Sequence, residues 1–312
     1  MKAAVVTGYG DPPEYRDFAP PEPADGTELL EVELAGLNPV DVAIASGKFD
    51  AGAPPLPYVT GTEAVGRDAD GRRVWSDEAR YPSGSLAEWS AIGEGSGVEL
   101  PDEISSEQAI AFGVAGVAAW LALTWRGGLV EGETVLVNGA SGAVGQIAVQ
   151  AARLLGAGRV VGSARSESGR SKVDALGADA VVDTGSEKLV DDLREATGGG
   201  ADLVIDNLWG TPAVAAIEAM NPRGRLIQVG NSAGTGADIL AGRLRGGLID
   251  IRGHRNFWAS REERADAFQT MCRHSIEGDL KIEVEVIPLA EVADAWERQK
   301  ASPGHKLALR PR

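Results

Sequence analysis

Six short apolar segments between residues 134 and 252 alternate with segments of helical spacing, and this alternation constrains the fold more than any other feature. The apolar segments are residues 134–138, 159–163, 180–183, 203–206, 225–230 and 248–252, and helical spacing occurs at 142–156, 167–176, 186–196 and 211–220. Repeated strand–helix–strand units build a parallel sheet with helices on both faces. The sequence therefore predicts an α/β domain with a doubly wound parallel sheet.

A β-rich part precedes this alternation and a mixed part follows it. Residues 28–35 alternate apolar and charged side chains, as a half-buried strand does, and an apolar helical run begins near residue 109. Helical segments at 266–276 and 289–300 and a strand at 306–309 fall outside the alternation, so we expect them to pack on the N-terminal part. The predicted domains are residues 113–257 for the α/β domain, and residues 1–112 with 258–312 for a second, β-rich domain.

Composition narrows the class of protein. The formal net charge of −16 argues against nucleic acid as a partner, because an acidic surface repels phosphates. The single cysteine, Cys272, excludes an internal disulfide and a cysteine-rich zinc module. No apolar run approaches the roughly 20 residues of a membrane span, and the N-terminus lacks a hydrophobic signal core. These features predict a cytoplasmic protein that binds neither nucleic acid nor membrane.

A glycine-rich turn follows the first strand of the alternation, where Gly139, Gly142 and Gly145 recur every three residues. Small residues there let a pyrophosphate approach the backbone, and the N-terminus of the next helix supplies free N–H groups. Because the turn lies between a strand and a helix of a βαβ unit, it predicts a dinucleotide site, with a tight packing turn as the alternative. The predicted cofactor contacts are Gly139, Ser141, Gly142, Ala143, Val144 and Gly145.

The end of the next strand indicates which dinucleotide binds. An NAD site commonly has Asp or Glu there to hold the ribose 2′-hydroxyl, whereas this strand ends in S-A-R-S at residues 163–166. Arg165 can stack on adenine and bind a 2′-phosphate, Ser163 can hydrogen-bond that phosphate, and Arg170 adds a nearby cation. We therefore predict NADPH as the cofactor, with a solvated surface arginine at 165 as the alternative.

Short motifs along nearly the whole chain resemble the quinone oxidoreductase branch of the medium-chain dehydrogenase/reductase superfamily, the zinc-independent, zeta-crystallin-like enzymes. Residues 35–41 (A-G-L-N-P-V-D) resemble its "GxNxxD" segment, residues 61–66 (G-T-E-A-V-G) its "GxExxG" turn, and residues 304–307 (G-H-K-L) its closing strand. Residues 230–234 (G-N-S-A-G) are similar to the loop that lies against the nicotinamide. The last resemblance implies cofactor contacts by Val229, Gly230, Asn231 and Ser232.

The resemblance implies a particular architecture. A Rossmann domain binds the cofactor, a GroES-like catalytic domain is built from both chain ends, and the active site lies in the cleft that joins them. Such enzymes usually form homodimers through the last Rossmann strand, here the strand from Leu248 to Arg252. Zinc-dependent relatives carry Cys and His ligands where this chain has Asn38 and Thr62, so we expect no metal site.

The expected reaction follows from the lack of a strong Lewis acid. Hydride transfer to an electron-poor carbon remains feasible, because a quinone or enone carbonyl spreads the incoming negative charge. We therefore expect reduction of a quinone, or of a C=C bond conjugated to a carbonyl, by NADPH. Two alternatives stay open: a pathway-specific enoyl reductase acting on a larger biosynthetic intermediate, and a non-catalytic NADPH-binding protein.

Asn38 is the first candidate catalytic residue. It would orient the nicotinamide ribose or donate a hydrogen bond to the acceptor's oxygen, with a turn-stabilising role before Pro39 as the alternative. Tyr58 is the second candidate, because tyrosines common in the family after the "NxxD" segment are absent here, and Tyr58 or Tyr81 could substitute as the acid.

The expected acceptor pocket is apolar. Its predicted walls are Phe49, Tyr58, Trp89 and Phe257, with ordinary core or interface packing as the alternative. Asp41 and Glu63 are expected to have structural roles, such as capping a loop or pairing with an arginine.

Overall fold

The computed structural model describes residues 1–312, which form two compact units. Unit 1 contains residues 1–115 and 268–312, and unit 2 contains residues 116–267. The second boundary lies at Phe268 rather than at residue 258, because the helix Arg261–Glu277 continues into unit 1. There the ring of Phe268 stacks on Trp75, with ring centroids 4.4 Å apart.

The N-terminal part of unit 1 is mostly strand. Its strands are β1 (Lys2–Val6), β2 (Glu14–Asp17), β3 (Thr27–Leu37), β4 (Tyr58–Val59), β5 (Glu63–Arg67), β6 (Arg73–Ser76), β7 (Trp89–Gly93) and β8 (Val98–Glu99), and its helices are α1 (Pro39–Ala45) and α2 (Ser106–Ala111). The short helix α1 escapes the sequence analysis, although Pro39 at its start and Asp41 in its first turn are helix-start signals.

Unit 2 is built on a six-stranded sheet whose strands all run parallel. Its elements are α3 (Val117–Leu121), β9 (Thr134–Asn138), α4 (Ala143–Leu154), β10 (Arg159–Ala164), α5 (Glu167–Ala175), β11 (Ala180–Asp183), α6 (Leu189–Ala196), β12 (Ala201–Asp206), α7 (Gly210–Glu218), β13 (Met220–Gln228), α8 (Ala241–Gly247) and β14 (Asp250–Gly253). The spatial order is β11-β10-β9-β12-β13-β14, which confirms the predicted Rossmann topology. A cluster of buried aliphatic side chains around Leu136, Val161 and Leu226 packs helices against this sheet.

The C-terminal tail completes unit 1. It contains α9 (Arg261–Glu277), β15 (Val284–Pro288), α10 (Val292–Lys300) and β16 (Lys306–Arg310). Strand β16 pairs antiparallel with β3 and joins the seven-stranded sheet of unit 1, while β1, β2 and β4 form a separate three-stranded sheet. The expected packing of the tail on the N-terminal part is therefore found.

Two expectations need correction. The last Rossmann strand begins at Asp250 rather than Leu248, because Leu248 adopts a left-handed conformation (φ 50°) that ends α8. The helical stretch Ser106–Arg126 is long and apolar enough to span a membrane by length and composition, so the statement that no run reaches that size was wrong. Of its most apolar window, 78% is buried inside the protein, which is also what the core helix of a folded domain shows.

Candidate active site

The predicted dinucleotide turn lies at the carboxyl edge of the parallel sheet, between β9 and α4. Gly139 has φ +77°, and a Cβ on Gly145 would come within 2.4 Å of the Gly139 carbonyl oxygen, so both positions require glycine. Gly142 is the N-cap of α4 and no side chain caps it. The N–H groups at the start of the helix therefore have no side-chain cap, and residues 141–144 around them are half-exposed. Free N–H groups at an accessible helix N-terminus suit the binding of a pyrophosphate.

A buried hydrogen-bond network fixes the strand ends beneath this turn. Asn138 Nδ2 donates to Asp206 Oδ1 at 2.8 Å, and the Ser163 hydroxyl donates to Asn138 Oδ1 at 2.7 Å. The backbone N–H groups of Leu208 and Trp209 donate to the Asp206 carboxylate. Burial raises the pKa of Asp206 to about 6, although these hydrogen bonds pull it down. The network joins β9, β10 and β12, so it holds the glycine turn in register with its neighbours.

The loop after β13 is held to the loop after β12. The backbone N–H groups of Val229 and Gly230 donate to the Asp206 carbonyl at 2.8 and 3.2 Å, and the Ser232 hydroxyl donates to the Asn207 carbonyl at 3.1 Å. Asn231 is exposed at the same edge of the sheet. The structure therefore brings the loop of residues 229–232 to the edge that carries the glycine turn.

The residues predicted to bind a 2′-phosphate have three different environments. Arg165 is exposed directly after β10, as expected. Arg170 donates to the Arg165 carbonyl and forms an ion pair with Asp183 at 2.8 Å, so it supports the loop that carries Arg165. Ser163 is fully buried, and its hydroxyl also accepts from the Gly139 N–H at 3.3 Å. The prediction that Ser163 contacts the phosphate is therefore corrected: its hydroxyl supports the turn from inside.

In unit 1, Asn38 belongs to a buried polar network with Glu63 and Lys306. Lys306 Nζ lies 2.6 Å from both Asn38 Oδ1 and Glu63 Oε1, and Asn38 Nδ2 donates to Glu63 Oε1 at 2.8 Å. Glu63 Oε2 accepts from the indole N–H of Trp75 and from the backbone N–H of Val114. The expected structural role of Glu63 is found, with a lysine rather than an arginine as the partner. Because Oδ1 is held by an ammonium group, the carboxamide of Asn38 is oriented as a donor.

Asp41 caps α1, whose N-cap residue is Asn38, as expected. Its Oδ2 accepts from the Asn38 backbone N–H at 2.8 Å, and the side chain is completely buried. Burial raises the pKa of Asp41 to about 7, whereas the hydrogen bond from Asn38 and the nearby Thr62 hydroxyl lower it.

The four predicted pocket walls do not share one environment. Tyr58 is fully buried in the core of unit 1, edge-on to Tyr81 with ring centroids 5.2 Å apart, and burial raises the pKa of its phenol. A fully buried phenol with a raised pKa is a poor acid, so the predictions that Tyr58 supplies a proton or lines the acceptor pocket are corrected to core packing.

The prediction that Trp89 is a wall of the acceptor pocket also needs correction. It pairs with Glu31 in the β3–β7 ladder. At about 3.3 Å per residue, Glu31 lies roughly 20 Å along the chain from Asn38. Trp89 therefore does not line a pocket at Asn38. Phe49 is half-buried in the loop after α1 of unit 1, and Phe257 is 43% exposed in unit 2. Their roles stay predictions.

A glycine turn and an uncapped helix N-terminus at the carboxyl edge of a doubly wound sheet are together the features of a dinucleotide-binding protein. The family described as zinc-binding dehydrogenase matches residues 143–270. Quinone oxidoreductase of Homo sapiens is 33% identical over 74% of this chain and 73% of its own length, and quinone oxidoreductase of Pseudomonas aeruginosa is 31% identical over 94% of both chains. The chain belongs to the quinone oxidoreductase branch of the medium-chain dehydrogenase/reductase superfamily.

Two further similarities bear on function. The Escherichia coli quinone oxidoreductase solved in complex with NADPH aligns over the full length of both chains, with a TM-score of 0.91 and 26% identity. A phenolphthiocerol/phthiocerol polyketide synthase of Mycobacterium tuberculosis is 31% identical over 88% of this chain, which covers only 13% of that protein.

The residues at the position of zinc ligands in related dehydrogenases do not fit zinc. Asn38 offers an amide oxygen already bound by Lys306, and Thr62 offers a hydroxyl, whereas tetrahedral zinc takes Cys, His or carboxylate ligands. Of the two carboxyl groups beside Asn38, Glu63 is occupied by the same ammonium group, and Asp41 caps α1 by accepting from the Asn38 backbone N–H. Cys272 is buried, and burial raises the pKa of its thiol to about 12, so it behaves as a small apolar side chain.

Replacing Gly142 with alanine tests the dinucleotide turn. The new Cβ would meet nothing closer than the Gly139 carbonyl oxygen at 3.9 Å, so the fold accepts it, but it would occupy the space that a pyrophosphate needs. We expect the Kd for NADPH, measured by fluorescence titration, to rise about tenfold, with a change in unfolding free energy below about 1 kcal/mol.

Gly242→Ala is the matched control, because a Cβ at that glycine of α8 also meets nothing within 4 Å. It should leave the Kd for NADPH unchanged, with a rise in unfolding free energy of at most about 1 kcal/mol, because alanine favours a helix more than glycine does. Wild-type affinity in the Gly142→Ala variant would show that the pyrophosphate binds elsewhere.

Proposed function

We propose that this protein is an NADPH-dependent oxidoreductase that transfers a hydride to a quinone or to an α,β-unsaturated carbonyl without a metal ion. The observation that carries the proposal is the uncapped N-terminus of α4 beside the exposed Arg165. Family membership and the similarity to an NADPH complex support it. We further propose a cytoplasmic location, and no nucleic acid or membrane as a partner.

Residues of unit 2 fit the cofactor. The N–H groups at the start of α4 would hold the pyrophosphate, Arg165 the 2′-phosphate, and the loop of residues 229–232 the nicotinamide end. When bound, NADPH supplies the hydride. Ser163 and Arg170 act indirectly, because each holds the backbone that carries a contact residue.

The carboxamide of Asn38 fits the electrophilic side of the reaction. Lys306 holds its Oδ1 and Glu63 accepts one of the two Nδ2 hydrogens, so one N–H remains to donate. Negative charge develops on the carbonyl oxygen of a quinone or enone during hydride addition, and an oriented N–H donor stabilises that charge. The ammonium group of Lys306 polarises the same amide.

A pathway-specific enoyl reductase is the second candidate. The similarity of nearly the whole chain to a small part of a polyketide synthase favours it. The two candidates differ in acceptor size and in whether a C=C bond is reduced.

We also propose a homodimer through the edge of the Rossmann sheet. Strand β14 is the edge strand of the sheet, and among the strands it pairs only with β13. Exposed apolar side chains occur on this strand and in the chain segments before and after it, namely Leu240, Leu248, Ile251, Phe257 and Trp258. An edge strand with exposed apolar side chains suits a second copy of the same strand.

Turnover with defined acceptors tests the reaction. We expect the protein to oxidise NADPH in the presence of small quinones and short enones, with NADH clearly slower, measured by the loss of nicotinamide absorbance. NADPH binding without turnover of any small acceptor would favour the specialised reductase or a non-catalytic binding protein.

Arg165→Gln tests the choice of cofactor. Removing a charge-assisted contact to the 2′-phosphate should raise the KM for NADPH about 10- to 100-fold and leave the KM for NADH unchanged. Arg245→Gln, at an exposed arginine of α8, is the matched control and should change neither value. Equal losses for both cofactors would remove Arg165 as the selector.

Ile251→Lys tests the dimer. A charge on the β14 edge should halve the mass measured by size-exclusion chromatography with light scattering, because it opposes edge pairing. Val130→Lys replaces another exposed apolar residue of unit 2 and should leave the mass unchanged. An unchanged mass in the Ile251→Lys variant would place the interface elsewhere.

A further inference from the structure

A group of buried polar side chains in unit 1 lacks hydrogen-bond partners. Strand β4 and the segment after it lie against residues 83–86, where the N–H groups of Ser85 and Leu86 donate to the carbonyls of Gly61 and Thr60. Buried polar atoms are nearly always paired in folded proteins, so a cluster of exceptions calls for a physical reason. The unpaired atoms are Asp41 Oδ1 and the hydroxyl oxygens of Tyr58, Thr60, Thr62, Tyr81 and Ser85.

Asp41 is the one carboxyl group in this cluster. Its two oxygens are used differently: Oδ2 accepts from the Asn38 N–H, and Oδ1 has no partner. A carboxylic acid that carries its proton on Oδ1 would have a hydrogen to donate at the unpaired position. The cap on the helix would be unaffected, because it uses the other oxygen.

Thr62 is the neighbour that such a proton would meet. Gly36 pairs with Glu63 in the β3–β5 ladder, so the segment after β3, which carries Asp41, lies against the segment before β5, which carries Thr62. The Thr62 hydroxyl, like Asp41 Oδ1, has no hydrogen-bond partner in this structure. Hydrogen bonds of catalytic groups are often long before substrate binds and shorten afterwards. Thr62 is 8% exposed whereas Asp41 is 0% exposed, so Thr62 is the member of the pair closer to solvent.

Several surrounding groups act on the charge of Asp41. Burial and the Glu63 carboxylate disfavour the charged form, whereas the Asn38 N–H, the Thr62 hydroxyl and the Lys306 ammonium favour it. Burial dominates and raises the pKa of Asp41 to about 7, which suits a general acid at neutral pH. Tyr58 and Tyr81 also interact electrostatically with Asp41, and burial raises the pKa of both phenols, so they keep their protons.

We propose that Asp41 stores the proton that completes enone reduction and that the Thr62 hydroxyl passes it to the acceptor, an inference that rests on the proposed function. Thr62 precedes Glu63, which binds the Asn38 amide at 2.8 Å. The hydroxyl therefore lies on the segment that holds the residue proposed to bind the acceptor's oxygen. Asp41 acts through Thr62 and is a positioning and storage residue rather than one that touches substrate.

The step balances in protons and electrons. Hydride adds to the β-carbon of the enone, a C–H bond forms, and the electron pair of the C=C bond moves onto the enolate. The O–H bond of Thr62 breaks and its proton forms the second C–H bond at the α-carbon, while the O–H bond of Asp41 breaks and restores the threonine hydroxyl. Asp41 is left as a carboxylate, which water reprotonates through Thr62 after the product has gone.

Quinones provide an internal control. A reduced quinone takes its protons on oxygen, where exchange with water is fast, so its reduction does not need the relay. Loss of the relay should therefore slow enone reduction and spare quinone reduction. A variant that only damaged the fold or cofactor binding would slow both.

The test uses the whole protein and two isosteric variants. Asp41→Asn keeps an oxygen to cap α1 but removes the acid, and Thr62→Val removes the hydroxyl. Each should lower kcat for a short enone about 100-fold with KM changed less than about threefold, while kcat for a small quinone stays within about threefold of wild type. Thr62→Ser should restore the enone rate. Ser85→Ala removes another unpaired buried hydroxyl of the cluster and should change neither rate.

The proposal predicts the direction in which kcat for the enone changes with pH. The acid must be protonated to donate, so kcat of the wild type for the enone should be level below pH 7 and fall about tenfold per pH unit above the pKa. The Asp41→Asn variant should lack this fall. Retention of the same profile in that variant would overturn the proposal.

Infrared difference spectroscopy of the protein without cofactor gives a readout independent of turnover. Between acidic and alkaline pH, the wild type should lose the carbonyl stretches of two buried carboxylic acids, Asp206 near pH 6 and Asp41 near pH 7. The Asp41→Asn variant should lack only the band that is lost near pH 7, and Thr62→Val should shift that band. No such band, or equal losses of enone and quinone turnover in the variants, would overturn the relay alone. A wild type that reduces neither acceptor would overturn the proposed function and the relay together.

Discussion

The buried ion pair of Lys306 and Glu63 is the interaction on which the geometry of unit 1 depends. Moving two such charges from water into a protein costs several kcal/mol per ion, and their attraction offsets this cost only when the remaining hydrogen-bonding capacity is also used. Here Glu63 receives hydrogen bonds on both oxygens, from Asn38, Trp75 and Val114 as well as Lys306. The pair therefore ties the last strand of the chain to β5 and to the start of α1, and removal of either partner would leave an uncompensated buried charge.

The same ion pair explains why two glycines and a broken helix occur here. A Cβ on Gly36 would come within 2.2 Å of Glu63 Oε1, and one on Gly113 within 2.0 Å of Glu63 Oε2. Gly113 also leaves the helical conformation, with φ −59° and ψ −126°. That kink follows α2 and turns the Val114 N–H toward Glu63, where it donates at 2.6 Å. The apolar stretch Ser106–Arg126 is thus interrupted where the chain must satisfy a buried carboxylate.

The architecture could be predicted from the sequence more completely than the roles of the site residues. The Rossmann strands Thr134–Asn138 and Ala180–Asp183 follow from local apolar pattern, and the glycine turn follows from its position between strand and helix. Ser163 and Tyr58 were misjudged for one reason: a sequence pattern does not say which side of a strand end faces solvent, and both side chains face inward. The role of Lys306 was missed because it depends on contact with residues more than 240 positions earlier. Only the folded sheet brings these residues together.

Asp41 and Glu63 are neighbouring carboxyl groups with different surroundings and different roles. Both are completely buried and both lie beside Asn38, but only Glu63 has a cation in contact. Glu63 therefore serves as the fixed acceptor that orients Lys306 and the Asn38 amide. Asp41 has one oxygen used by a backbone N–H and one left open, and burial raises its pKa into the neutral range. Two acidic groups in such different surroundings are typical of sites that transfer protons. Glu63, whose charge is balanced by Lys306, therefore holds the neighbouring side chains in position. Asp41, which has no cation in contact, is the carboxyl group that can exchange a proton.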